Sequence, residues 1–88
     1  MKWTIDYSRD AEKVIQGQRI DDKVKEELKK FLIKMKGGNI NIDLKKLRGD
    51  WTGYYRLRKG KLRIIFELNN IDKRLFVEKI DQREDVYK

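Results

Sequence analysis

A two-residue period begins in the stretch Gly53-Tyr54-Tyr55-Arg56-Leu57-Arg58 and continues through Gly60-Lys61-Leu62-Arg63-Ile64-Ile65-Phe66. Apolar and polar side chains alternate there, as they do on strands that are buried on one face only. With a third apolar run near the carboxyl end, the sequence predicts strands at about 54–58, 62–68 and 74–80. The two short connections between them are rich in turn-forming residues, which predicts an antiparallel meander.

Upstream of the meander, the pattern predicts one strand followed by a short helix. Trp3, Ile5 and Tyr7 fall on one face of a strand over residues 2–7. Ser8 suits the N-cap of a helix, because its side-chain oxygen can accept a bond from a free backbone N–H. Gly17 is placed to end that helix.

A second, longer helix has the strongest periodic signal in the chain. It should begin near Asp21 or Asp22 and end at Gly37-Gly38. Its apolar residues recur at helical spacing and are Val24, Leu28, Phe31, Leu32 and Met35. Residues 39–52 are interpreted as a connection anchored by Leu44 and Leu47. The predicted fold is α+β, in the order β-α-α-β-β-β, with two N-terminal helices packed on one face of a small antiparallel sheet.

Composition limits both the organisation and the chemistry of the chain. Its 88 residues suit a single domain, residues 1–88, and a hydrophobic fraction of 39% is typical of a globular protein. The chain has no cysteine and no histidine, which excludes a disulfide framework, a zinc site of the usual ligands and a Ser/His/Asp triad. We therefore expect no metal and no cofactor. With no apolar run of signal-peptide or membrane-span length, we expect a cytosolic protein that does not contact a membrane.

The net charge of +8 is concentrated in one segment. Residues 44–63, here called the basic segment, contain eight basic residues against a single acid, Asp50. Such a concentration favours binding of a polyanion, most plausibly RNA. The candidate RNA-binding residues in this segment are Lys45, Lys46, Arg48, Lys59 and Lys61.

Three arginines in the same segment could form one phosphate-binding cluster. Arg56 and Arg58 are two apart on a strand and project from the same face, whereas Tyr55 and Leu57 face the other side. Arg63 lies across the predicted turn and can join them, depending on the geometry of that turn. Guanidinium groups bind phosphate oxygens bidentately and stay charged at physiological pH. The alternative is that all three are solvated strand residues.

Four aromatic residues also have two interpretations. Trp51, Tyr54 and Tyr55 could stack on unpaired bases, or they could bury a strand edge. Tyr87 could pack the terminus down or take part in chemistry.

Four motifs in order resemble the RelE/ParE toxin superfamily over most of the chain. They are Leu47-Arg48-Gly49, the Tyr-Arg-x-Arg strand at residues 54–58, Gly60-Lys61-Leu62-Arg63 with the apolar residues that follow, and Arg83-Glu84-Asp85-Val86-Tyr87. The resemblance implies a toxin of a type II toxin–antitoxin system that cuts mRNA in the ribosomal A site and is held inactive by a cognate antitoxin.

The same resemblance implies roles for particular residues. Arg56, Arg58 and Arg63 would stabilise the scissile phosphate, Arg83 would assist the leaving oxygen, and Tyr87 would orient or activate the ribose hydroxyl. Lys45, Lys46 and Arg48 would contact ribosomal or messenger phosphates. The implied reaction is attack of a 2′-hydroxyl on the adjacent phosphate without a metal ion.

Departures from the family pattern keep two other functions open. Some ribonuclease members have lysines at the positions of Arg56 and Arg58, a histidine at Gln82 or an arginine at Asp81. No general base can therefore be named. The alternatives are a ParE-like inhibitor of DNA gyrase and an inactive member that binds only its antitoxin and operator.

Overall fold

The computed structural model describes residues 3–82. Within them the helices are α1, Arg9–Gln18, and α2, Asp21–Met35. The strands are β1, Thr4–Tyr7; β2, Asp43–Lys46; β3, Tyr54–Lys59; β4, Leu62–Asn69; and β5, Arg74–Gln82. A single 3-10 turn, Gly49–Trp51, precedes β3. The α+β class is confirmed, and the observed order is β-α-α-β-β-β-β because of one additional strand.

That additional strand, β2, corrects the interpretation of residues 39–52 as a plain connection. β2 pairs antiparallel with β3, with Leu44 opposite Leu57 and Lys45 opposite Arg56. Its four residues include three charged side chains, so its hydrophobic period is almost absent. Short, charged strands are typical of sheet edges, where they discourage pairing with other chains.

The sheet is mixed rather than purely antiparallel. Its strand order is β1-β5-β4-β3-β2, and β3, β4 and β5 form the predicted antiparallel meander. β1, however, runs parallel to β5, with Ile5 opposite Leu75 and Tyr7 opposite Val77. The pairing satisfies backbone groups on the outer edge of β5 that would otherwise stay exposed, as in the bond from the Thr4 N–H to the Lys73 carbonyl, 2.9 Å.

Both helices pack on one face of this sheet, as predicted. Ala11 and Ile15 of α1 and Val24, Leu28 and Phe31 of α2 are buried against alternate residues of β3, β4 and β5. Phe31 meets Phe66 edge to face, with ring centroids 4.8 Å apart. The buried sheet residues are Leu57, Leu62, Ile64, Phe66, Leu75, Val77 and Ile80.

The helix ends agree with the sequence in part. The Ser8 hydroxyl accepts a bond from the Ala11 N–H at 3.1 Å, which confirms the N-cap. α1 does not end at Gly17 but continues to Gln18, and Arg19 then adopts the left-handed conformation, with φ +54°. The longer helix brings Ile20 into the core before α2 begins. Met35 was wrongly assigned to the apolar face of α2, since it lies on the final turn and is exposed.

Candidate functional site

The face of the sheet opposite the helices carries most of the predicted site. Leu57, Ile64 and Ile80 are buried under the helices, so their strand neighbours project from the other face. We call this other face the open face. The residues that project from it on β2 to β5 include Asp43, Lys45, Arg56, Arg58, Arg63, Ile65, Lys79 and Asp81.

Two pairs of like charges lie directly opposite one another on the open face. Lys45 is paired with Arg56 across β2 and β3, and Arg58 is paired with Arg63 across β3 and β4. Opposed like charges destabilise a sheet, because their side chains are only about 5 Å apart at Cβ. The arrangement therefore costs folding stability, and a bound anion would remove that cost.

Arg56 and Arg63 line a small cleft on this face. Its volume is about 190 Å³, and Ile65, Lys79 and Asp81 complete its walls. The Arg56 side chain is only 25% exposed. Its Nε is buried and has no hydrogen-bond acceptor within residues 3–82. A buried donor without an acceptor destabilises the fold.

Arg58 faces a different neighbour. Asp43 Oδ2 accepts from Arg58 Nε at 2.9 Å and lies 2.8 Å from Arg58 Nη2. Asp43 Oδ1 is 3.7 Å from Nη2 of Arg56. Arg58 and Asp43 line a second cleft of about 470 Å³, with Lys30 and Lys59 among its other residues. The predicted cluster of three arginines thus lies on one face, but its guanidinium groups line two clefts.

None of the lysines of the basic segment lines the smaller cleft, and Lys59 lines the larger one. Lys45 projects from the open face beside Arg56, whereas Lys46, opposite Tyr55, is on the helix side of β2. Lys59 and Lys61 flank Gly60, whose φ of +59° makes the turn between β3 and β4. All four lysines and Arg48 are exposed. Arg83 and Tyr87 lie outside the residues that the structure describes.

The aromatic residues separate into two groups. Tyr55 stacks at 5.8 Å on Phe66 in the core, so it buries the sheet and is not presented to a base. Trp51 meets Tyr54 edge to face at 5.2 Å and is partly exposed. Lost solvation, with smaller contributions from Glu67 and Glu78, raises the pKa of Tyr54 above its usual value. The Tyr54 hydroxyl is therefore protonated at neutral pH.

Sequence reasoning missed two residues of the site, Asp43 and Lys79. Asp43 was missed because β2 was not predicted, and only the pairing of β2 with β3 brings it to Arg58. Lys79 could have been found, since it alternates with buried Ile80 on a predicted strand and pairs with Ile65. Asp81 was noted only as a departure from the family pattern, and it lies in the cleft opposite Arg63.

Residues 3–82 contain no helix long and apolar enough to cross a membrane. No protein-family model and no curated protein matches the sequence.

Solved structures nevertheless share the fold over nearly the whole chain. A chain of the heterotetrameric YoeB–YefM toxin–antitoxin complex from Staphylococcus aureus is 20% identical, with a TM-score of 0.65, covering 96% of this chain and 100% of that one. A chain of the archaeal RelE–RelB complex from Pyrococcus horikoshii is 23% identical, with a TM-score of 0.64 and coverages of 98% and 100%. A mutant toxin from Helicobacter pylori reaches a TM-score of 0.68 at 14% identity, with the same coverages. The chain therefore shares the fold of these proteins, which agrees with the fold that the resemblance of its motifs implies.

Proposed function

We propose that the protein is the toxin of a type II toxin–antitoxin system and acts as a ribosome-dependent mRNA endonuclease. The observation that carries the proposal is the two pairs of opposed like charges on the open face, Lys45 with Arg56 and Arg58 with Arg63. Pairs that destabilise a sheet are typical of a functional site, and a bound anion would lower the repulsion within them. The fold is consistent with this, because it is the fold of proteins described as toxins in complexes with their antitoxins.

The proposed reaction uses the cations to stabilise charge that develops on phosphorus. The 2′-oxygen of a ribose attacks the adjacent phosphorus, and the bond from phosphorus to the 5′-oxygen breaks. The products are a 2′,3′-cyclic phosphate and a 5′-hydroxyl, and the proton lost from the 2′-hydroxyl is matched by the one gained at the leaving oxygen. Arg56 and Arg63, which both line the cleft, would bind the non-bridging oxygens, and Lys79 would add a third cation.

The remaining roles rest on the resemblance. Arg83 would assist the leaving oxygen, and Tyr87 would orient or activate the 2′-hydroxyl. Arginine keeps its charge throughout the physiological pH range and does not release a proton readily, so Arg56 and Arg63 are proposed as charge clamps and not as the general base. The ribosome would hold the mRNA in the A site, and such positioning alone is worth several kcal/mol of the barrier.

The proposed partners follow from the same surface. The lysines and arginines of the basic segment would contact the phosphates of mRNA and ribosome, and binding should therefore weaken steeply with salt. In the absence of stress, a cognate antitoxin with an acidic segment would cover the open face. Its carboxylates would lower the repulsion within the like-charge pairs in the same way as the phosphates of bound RNA would.

The alternative is a function without RNA cleavage, either inhibition of DNA gyrase or binding of the antitoxin alone. Two carboxylates favour this alternative, because Asp43 already pairs with Arg58 and Asp81 lines the cleft beside Arg63. Both lower the positive charge that a phosphate would meet. A protein-binding surface would accept this partial neutralisation more readily than a phosphate site.

Primer extension on cellular mRNA after induction tests the proposal. We expect new 5′ ends within translated codons for the wild type, and none for the double variant Arg56→Ala/Arg63→Ala. Lys29→Ala/Lys36→Ala removes the same charge from exposed positions in and just after α2 and should cleave as the wild type does. Growth arrest without new ends, together with inhibited DNA supercoiling, would favour the gyrase inhibitor instead.

A further inference from the structure

We propose that Asp43 is an internal competitor of phosphate, which keeps Arg58 away from the cleft of Arg56 and Arg63 until an anion displaces it. The proposal rests on the proposed function only in assuming that the arginines meet the phosphates of RNA. It assigns Asp43, on the edge strand β2, a regulatory role at that site.

The geometry of the contact is that of a substitute anion. One carboxylate oxygen of Asp43 contacts both Nε and Nη2 of Arg58, at 2.9 and 2.8 Å. These two nitrogens form one of the edges with which arginine binds a phosphate bidentately. While Asp43 occupies that edge, Arg58 can offer a ligand only its remaining donors.

The contact also decides which cleft Arg58 lines. Arg58 is directly opposite Arg63, so the backbone places both side chains on the open face. Arg63 nevertheless lines the smaller cleft with Arg56, whereas Arg58 lines the larger one with Asp43. A change of side-chain rotamer, with no movement of the sheet, would bring the third guanidinium to the phosphate.

The contact is weak enough to be displaced. The side chains of Arg58 and Asp43 are 44% and 45% exposed. Exposed ion pairs of this kind change the equilibrium constant for folding by a factor of about 1.5 to 5. Phosphate groups already held by Arg56 and Arg63 would compete at high local concentration. We therefore expect removal of the Asp43 charge to strengthen RNA binding by about 2- to 5-fold at low salt.

Fluorescence anisotropy with a labelled 12-nucleotide oligouridylate tests this on the full-length protein. Asp43→Asn should bind 2- to 5-fold more tightly than the wild type at 50 mM salt. The slope of log affinity against log salt should steepen by about 0.7, the change expected for one more phosphate contact on a single strand. Asp43→Thr, which suits a strand and also removes the charge, should behave likewise, and circular dichroism would establish that each variant is folded.

Two controls separate competition from a general change in charge. Glu26→Gln raises the net charge equally but lies exposed on α2, in the helix layer, so its affinity should stay within about 1.5-fold of the wild type. In an Arg58→Gln background, Asp43→Asn should lose most of its effect, because only the longer contact of Asp43 with Arg56, 3.7 Å, is then left to break. Equal affinity of Asp43→Asn and the wild type would overturn the proposal, and so would a full effect of Asp43→Asn without Arg58.

The outcome is independent of the endonuclease assay. If Asp43→Asn binds more tightly but no variant cleaves mRNA, the competitor role stands and the proposed function fails. If the wild type cleaves mRNA but Asp43→Asn leaves the RNA affinity unchanged, the proposed function stands and the competitor role fails. If neither the wild type nor Asp43→Asn binds the oligonucleotide, the competitor role is refuted.

Discussion

Replacement of Arg63 should lower the activity strongly and leave the stability almost unchanged. Arg63→Gln keeps most of the aliphatic stem but removes a charge that faces Arg58 across β3 and β4 and Asp81 across β4 and β5. None of the salt bridges found within residues 3–82 involves Arg63, so the substitution breaks no ion pair there. Cross-strand pairs of charges are worth about 0.2–1 kcal/mol, and here the like-charge pair and the opposite-charge pair act in opposite directions. We therefore expect the free energy of unfolding to change by less than about 1 kcal/mol.

The same substitution should reduce the cleavage rate strongly. Removal of one donor that stabilises developing charge in a transition state typically costs about 10²- to 10³-fold, or roughly 3–4 kcal/mol. The loss in catalysis is therefore several times larger than any change in stability. A residue that served only the fold would not lower the cleavage rate strongly while leaving the stability almost unchanged.

Urea denaturation at 20 and 500 mM salt would measure the change in stability, which should be smaller still at the higher salt because exposed charges are screened. Single-turnover cleavage of ribosome-bound mRNA would measure the loss in rate. Lys29→Gln removes the same charge from an exposed position on α2 and should change neither quantity appreciably. A loss of more than about 1 kcal/mol of stability in Arg63→Gln, or cleavage by that variant at the wild-type rate, would show that Arg63 does not act as proposed.

Three further predictions concern the charge at Arg56, two glycines and the titration of Tyr7. Arg56→Lys should keep much of the cleavage rate, because a clamp needs positive charge, whereas Arg56→Ala should lose about 10²-fold in the same single-turnover assay. Gly38→Ala should lower the free energy of unfolding by about 1–3 kcal/mol, since its Cβ would lie 2.5 Å from Ile33 Cγ2. Gly17 lies within α1, where an added Cβ meets open space. Gly17→Ala should therefore raise the free energy of unfolding by about 0.5–1 kcal/mol. The wild type should lose stability above pH 10 because of Tyr7, and Tyr7→Phe should remove that loss. Burial, and to a lesser degree Asp21, raises the pKa of Tyr7. The contribution of Tyr7 to stability is therefore complete below pH 10 and declines as pH rises through the raised native pKa. Urea denaturation between pH 7 and 11 would measure this difference, and parallel curves for Tyr7→Phe and the wild type would contradict it.

The parts of the fold that were predicted are those with a long periodic signal. α2 and the meander of β3, β4 and β5 each repeat an apolar side chain several times, so the two-residue and 3.6-residue periods identify them without tertiary information. β2 has only Leu44 as a buried-side anchor among four residues, which is too short for a period to register. The parallel pairing of β1 with β5 depends on contacts between residues about 70 apart, which local patterns do not encode.

The candidate site was predictable to the same extent. Alternation along β3 placed Arg56 and Arg58 on one face, and the short turn brought Arg63 to it. The counter-charge could not be predicted, because Asp43 reaches Arg58 only through a strand that the sequence did not reveal. As a result, the sequence predicted one cluster of arginines where the structure has a cleft with two of them and an ion pair with the third.

The central claim is that this sheet binds and cleaves RNA, and analysis of product ends tests it most directly. Purified protein would be mixed in excess with ribosomes stalled on a defined mRNA, and the RNA fragments would be examined for both position and end chemistry. The account predicts a cut in the A-site codon that leaves a 2′,3′-cyclic phosphate and a 5′-hydroxyl, and loss of that cut in Arg56→Ala/Arg63→Ala. Intact mRNA after prolonged incubation with the wild-type protein would contradict the account.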